Sequence, residues 1–167
     1  MKKFDDDIMS LVNATIAGDD EAFRKLNDMI NESPIIVEQR DLLLEALSIN
    51  KESNSNVRTL RALILLIAAP GQTWFQSQEG SLLLKQAVDA GNRVAIVHAA
   101  ILMLSQADPN LKYEGLRLFR EAAVHEEPFA LSVGMKMFAA QNVTTFRELI
   151  TALDAIRDTD RPSSTLA

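Results

Sequence analysis

The stretch Leu83-Leu84-Lys85-Gln86-Ala87-Val88-Asp89-Ala90-Gly91-Asn92-Arg93-Val94-Ala95 decides the fold. Its first part has the apolar spacing of a helix, and Gly91 can supply the positive φ that a tight turn requires. Val94 and Ala95 then open a second helix. Thirty-five residues on, Leu118-Phe119-Arg120-Glu121-Ala122-Ala123 and Phe129-Ala130-Leu131 repeat the layout. A phrase returning at this interval signals stacked helical hairpins, and arrays of that kind bind proteins more often than they catalyse reactions.

The same phrase stands near the N-terminus. Ala14, Ala17, Gly18 and Ala22 match Ala87, Ala90, Gly91 and Ala95 at an offset of 73, about two units. The small residues Ala87, Ala95, Ala99, Ala122, Ala130 and Gly134 allow close approach of helix backbones, and Leu84, Met103, Phe119 and Phe138 fill the layers between them. One departure stands out. Glu126-Glu127 replaces Gly91-Asn92, so this glycine-free turn ahead of Pro128 is expected to use another geometry.

Apolar residues recur at three- and four-residue spacing almost throughout, and no segment keeps a period of two, which predicts an all-α chain of eight or nine helices. Phe4, Ile8, Leu11 and Val12 mark the first. Ala22, Phe23, Leu26, Met29 and Ile30 mark the second, with Asp19 as its N-cap. A third starts at Pro34 and carries Ile36, Leu43, Leu44 and Leu47. The polar break Asn50-Lys51-Glu52-Ser53-Asn54-Ser55-Asn56 precedes a fourth, 57–69, which is apolar nearly all round after Arg61 and is expected at the centre of the fold. Pro70-Gly71 ends it. Further helices are expected at about 81–90, 92–106, 112–125, 128–140 and 145–157, with Asp108-Pro109-Asn110 ending the sixth. Every connection is short, so 1–157 reads as a single helical-repeat domain, and 158–167 reads as a frayed tail.

The residues from Gly80 to about Phe138 resemble the tetratricopeptide superfamily, particularly its Sel-type branch. The matching features are the Leu83–Val88 phrase, the Gly91-Asn92 turn, Ala95 in the second helix, and Gly115 to Ala123 in the next unit. Asp108-Pro109-Asn110 is similar to the loop linking one unit to the next. The resemblance implies antiparallel hairpins stacked as a short solenoid, with first-of-pair helices lining a groove for a partner protein.

Composition excludes several classes. A net charge of −6 argues against a phosphate-binding surface, because nucleic-acid binders need a basic face. Cysteine is absent, so thiolate chemistry and disulfides are excluded, which fits a cytoplasmic protein. The start, Met1-Lys2-Lys3 followed by acids, is not a secretory signal. The longest apolar run, 62–69, is far short of the roughly 20 residues a membrane span requires.

Few residues carry chemistry. His98 lies in an apolar helix and reads as a core histidine, and His125 sits where a helix ends. Asp5-Asp6-Asp7 do not converge on one ion if helical, because consecutive side chains diverge. No catalytic motif, metal site or cofactor site is present by pattern. The candidates for partner contact are Trp74 and Phe75, between Gly71 and Gly80, and Tyr113 and Arg117, which share a helical face with Arg120. The expected function is a non-enzymatic adaptor or small chaperone-like module binding a peptide or helix. The alternatives are a subunit self-associating through Met103, Met135 and Met137, or an enzyme without a recognisable motif.

Overall fold

A computed structural model describes residues 2–32, 37–48, 54–67 and 77–159. Those residues form an all-α protein of nine α-helices and one short 3-10 turn, with no strand among them. In chain order the helices are α1 (Lys2–Ile16), α2 (Asp20–Glu32), α3 (Val37–Ser48), α4 (Ser55–Ile67), α5 (Gln78–Asp89), α6 (Arg93–Leu104), α7 (Pro109–Val124), α8 (Pro128–Met137) and α9 (Phe146–Thr159). Pro34, Ile36, residues 49–53, Pro70-Gly71 and the Trp74-Phe75 pair lie outside the described residues. So does 160–167 of the expected tail, whereas Asp158 and Thr159 belong to α9.

The chain divides into two compact units, 1–92 and 93–167. In the first, α4 packs against α1, α2, α3 and α5 and is the central helix of that unit, where the sequence placed it at the centre of the fold. Val57, Leu60, Ala62, Leu63, Ile64 and Leu66 are all buried there. In the second unit α6 packs most extensively on α7, α7 also packs on α9, and α8 touches α6, α7 and α9.

The repeat is written in the turns. After α1, α5 and α7 the chain makes one and the same hydrogen-bonded cap. The N–H of Asp19, Asn92 and Glu127 donates to the carbonyl of Ala14, Ala87 and Ala122 at 2.9, 3.0 and 3.0 Å. The preceding N–H, of Gly18, Gly91 and Glu126, donates to Thr15, Val88 and Ala123 at 3.0, 2.9 and 3.0 Å. This is the double bond pattern of a Schellman cap, which satisfies carbonyls the helix end would leave open. Its left-handed residue is Gly18 (φ 99°), Gly91 (φ 81°) and Glu126 (φ 56°). The expectation of a different geometry at Glu126-Glu127 is therefore corrected: the hydrogen bonds outweigh the steric cost of a left-handed glutamate.

Each turn hands over to a small buried residue three positions on. Ala22, Ala95 and Ala130 are 4%, 0% and 0% exposed. Close helix approach falls at two further glycines, also thirty-five residues apart. A Cβ on Gly80 of α5 would lie 2.9 Å from Leu66 of α4, and a Cβ on Gly115 of α7 would lie 3.0 Å from the Ala100 carbonyl of α6.

Two start signals differ from expectation. Asp108-Pro109 does not merely end α6; Asp108 is the N-cap of α7, accepting from the Asn110 N–H at 2.8 Å, with Pro109 in the first turn. A proline there forfeits no helical hydrogen bond. Likewise α5 starts at Gln78, where the Ser77 hydroxyl caps the Gly80 N–H at 3.0 Å.

The end of the polar break is a joint. The Asn54 Oδ1 caps the Val57 N–H at 2.9 Å, while its Nδ2 donates to the Thr15 carbonyl at 3.3 Å. Asn92, from the α5 turn, donates from Nδ2 to Asn56 Oδ1 at 2.7 Å and Ser55 Oγ at 3.1 Å. The start of α4 is thereby tied to two of the repeated turns.

Candidate binding surface

Of the residues singled out for partner contact, the structure describes Tyr113 and Arg117, both on α7, one helical turn apart. Tyr113 is half-buried. The Arg117 Nε donates to Glu114 Oε2 at 2.9 Å, and its Nη1 lies 3.5 Å from Glu121 Oε2. The hydrogen bond from Arg117 holds the Glu114 carboxyl below its ordinary range, and the same bond raises the guanidinium. Arg117 is thus half exposed and already engaged by carboxylates of its own helix. Arg120, on the same face, reaches α9 instead. Its Nε and Nη2 donate to Asp154 Oδ1 and Oδ2 at 2.7 and 3.4 Å.

The methionines do not form one face. Met103 is half-buried, and its Cβ would be 3.0 Å from a Cβ on Gly115, so it belongs to the α6–α7 contact. Met135 and Met137 are 44% and 47% exposed, but they sit two residues apart on α8 and point to different sides.

A surface groove of about 550 Å³ runs between α8 and the start of α9. It is lined by Pro128, Leu131, Ser132, Met135, Lys136 and Phe146. Leu131 and Met135 stand one turn apart on α8, and Phe146, the first residue of α9, forms the facing wall. Its local causes are legible. Glu127 is only 2% exposed, and its carboxylate caps α8 by accepting from the Phe129 N–H at 3.1 Å. At α9 the Thr145 hydroxyl caps the helix: the Glu148 N–H donates to Thr145 Oγ1 at 3.2 Å, and that hydroxyl donates to Glu148 Oε1 at 2.9 Å. Gly134 sets the spacing, since a Cβ there would stand 2.5 Å from Leu149 Cδ1. The two helices meet at Gly134, and the groove opens beside that contact.

Sequence reasoning named Met135 for another role and passed over Leu131 and Phe146. The available signal was the Leu131/Met135 spacing beside Gly134, which marks where α8 turns its small side inward. A second groove of about 420 Å³ lies along α9, lined by residues including Val143, Arg147, Glu148 and Thr151.

His98 is inside the second unit and 3% exposed, with its ring centroid 4.8 Å from that of Phe129. Burial pushes its pKa down to about 3, so it is a neutral core group at physiological pH. Among the described residues no group of three His, Asp or Glu side chains is placed to hold a metal ion, and no helix is long and apolar enough to cross a membrane. The chain matches no family model, no curated protein and no solved structure.

Proposed function

We propose that this protein is a non-enzymatic, tetratricopeptide-like interaction module of the cytoplasm, an adaptor or small chaperone, that seats a helix or peptide of a partner protein in the α8–α9 groove. The observation that carries the reading is the groove itself. Leu131 and Met135, one turn apart, and Phe146 across from them present apolar surface, with Lys136 as the charged residue among the described lining. A partner helix recognised through apolar anchors one turn apart needs a surface of that kind. The thrice-repeated cap supports the family resemblance, because solenoids are built by repeating one supersecondary unit. The α7 pair is the weaker site, since its arginine is satisfied within its own helix.

The test is capture from native lysate with the full chain as bait. A stoichiometric protein partner is expected, and it should be lost with Met135→Glu while circular dichroism stays unchanged. Capture should survive Tyr113→Ala and Arg117→Ala. If those two abolish capture and Met135→Glu does not, the interface lies on α7. Concentration-dependent self-association that Met135→Glu removes would replace the partner with a second copy of the chain.

A further inference from the structure

We infer that α8 is an acid-released element: protonation of His98 and Glu127 frees Phe129, and α8 then lifts from α6 and α7 while those two helices stay folded. Phe129 is held from two directions by a buried ionisable group. Its ring packs on the His98 imidazole of α6, with centroids 4.8 Å apart, and its N–H donates to the Glu127 carboxylate at 3.1 Å. His98 and Glu127 are 3% and 2% exposed. An imidazolium is costly in an apolar interior, and a protonated carboxyl loses the charge that strengthens its bond to the N–H.

Beyond the Phe129 end α8 has few anchors. It is the shortest of the nine described helices, at 10 residues, and the residues it buries are Ala130 and Gly134, with Phe138 buried at its C-cap. Alanine and glycine bring little apolar area. The packing of α8 on α6, α7 and α9 is slight beside that of α6 on α7 or α7 on α9. The turn leading into it carries the left-handed Glu126. An element so lightly held opens ahead of its neighbours.

The surroundings of His98 leave its charge without an answering acid on α7. The helices packed on α6 in this unit are α7 and α8. From α7 the ionisable side chains are Lys112, Tyr113, Glu114, Arg117, Arg120 and Glu121, and none is buried. Arg117 is engaged by Glu114 and Glu121, and Arg120 by Asp154 of α9. From α8 and its turn they are His125, Glu126, Glu127 and Lys136, of which only Glu127 is buried. On α6 itself Arg93 is exposed at the start, and its Nη1 donates to the His125 carbonyl at 3.4 Å.

Burial holds the His98 pKa at about 3, against about 6.5 for an imidazole in water. The closed form is therefore fully favoured above pH 6.5 and loses ground as pH falls towards 3. Relative to pH 7.5, the open form should gain about 10-fold at pH 5.5 and about 100-fold at pH 4.5. Because α8 is one wall of the groove, its release would dismantle the groove, and that consequence alone rests on the proposed function.

The experiment is amide hydrogen exchange on the full chain at pH 7.5, 5.5 and 4.5, with and without low urea, read as protection corrected for the intrinsic rate. The reporters are the Leu131 and Phe138 amides, which donate to the Glu127 and Gly134 carbonyls at 3.3 and 2.9 Å. At pH 7.5 they should be less protected than the amides of α6 and α7. Their protection should fall by the factors above and be nearly independent of urea, as a local opening requires. In His98→Gln the fall by pH 5.5 should shrink to less than about 3-fold. Glu127→Gln should lower α8 protection at pH 7.5 by about 3- to 10-fold and leave α6 and α7 unmoved. Protection of α8 that is flat with pH overturns the inference. So does α8 exchange with the protection and urea dependence of α6 and α7, which would mean that the unit unfolds whole. An undiminished fall in His98→Gln overturns it as well, and the native chain's pH and urea pattern decides the matter if a variant fails to fold. Lysate capture and its loss on Met135→Glu are read separately, since α8 can release whether or not the groove holds a partner.

Discussion

Glu126 holds the backbone conformation that Gly91 holds one repeat earlier. Their φ angles are 56° and 81°, and each N–H donates to the carbonyl three residues back, at 3.0 and 2.9 Å. The following residues, Glu127 and Asn92, each close a six-residue ring onto an alanine carbonyl at 3.0 Å. A side chain in the left-handed region costs about 1–2 kcal/mol for steric reasons, and glycine avoids that cost. The second unit therefore carries strain in the turn that leads into α8.

Glu126→Gly should relieve it. Glu126 is exposed, and the gain is tempered by the greater freedom of glycine in the unfolded chain. We expect a net stabilisation of about 0.5–1 kcal/mol, read as a higher urea midpoint at unchanged slope. The reciprocal change, Gly91→Ala, should destabilise by about 1 kcal/mol. No atom lies within 4 Å of the added Cβ, so the backbone alone sets that cost. A loss of stability in Glu126→Gly would contradict the account.

Gly115→Ala tests the close approach of α6 and α7. In an open helix this exchange stabilises by roughly 1 kcal/mol, because alanine is the better helix former. Here the new Cβ would meet the Ala100 carbonyl oxygen and the Met103 Cβ, both at 3.0 Å, and a backbone oxygen cannot step aside. The sign should invert to a destabilisation of about 1–3 kcal/mol, measured by denaturant unfolding.

His98 makes the second unit sensitive to acid. Its folded pKa is about 3, against about 6.5 when unfolded, so below pH 6.5 the unfolded chain binds a proton that the folded chain refuses. The contribution is fully present above pH 6.5 and is lost as pH falls towards 3, at about 1.4 kcal/mol per unit. Comparison of the native protein with His98→Gln at pH 7.5, 6, 5 and 4.5 isolates it, since the carboxylates titrate in both. The stability difference should shrink by about that slope; parallel curves would contradict it.

Much of this was readable in the residues. The helices, the turn at Gly91, the centrality of α4 within its own unit and the burial of Ala95, Ala130 and His98 all follow from spacing and side-chain size. Glu126 was not readable, because preference for glycine at a left-handed position is statistical and three dimensions supplied hydrogen bonds that outweigh it. Asp108-Pro109 reads as a stop or as a start until the next helix is seen to accept its cap. The groove was hidden for a different reason. Leu131 and Met135 have the same spacing as any core stripe, and only the seating of Leu149 against Gly134 shows which side of α8 meets α9.

Arg120 and Arg117 give the last prediction, because they look alike in sequence and differ in structure. Both lie on α7, three residues apart. Arg120 spans to Asp154 on α9, with hydrogen bonds of 2.7 and 3.4 Å, and Arg157 also approaches that carboxylate at 3.6 Å. The bond from Arg120 to Asp154 raises the guanidinium pKa, as an ion pair should. Both side chains remain about a third exposed, so solvent screens the pair. A double-mutant cycle with Arg120→Ala and Asp154→Ala should return a coupling of about 0.5–1 kcal/mol, reduced at high salt. Arg117→Ala removes only exposed pairs within its own helix and should cost less than about 0.5 kcal/mol. A loss of partner capture in that variant would then report contact at α7 rather than unfolding. A coupling near zero for Arg120 and Asp154 would mean that the ion pair adds nothing to the α7–α9 contact.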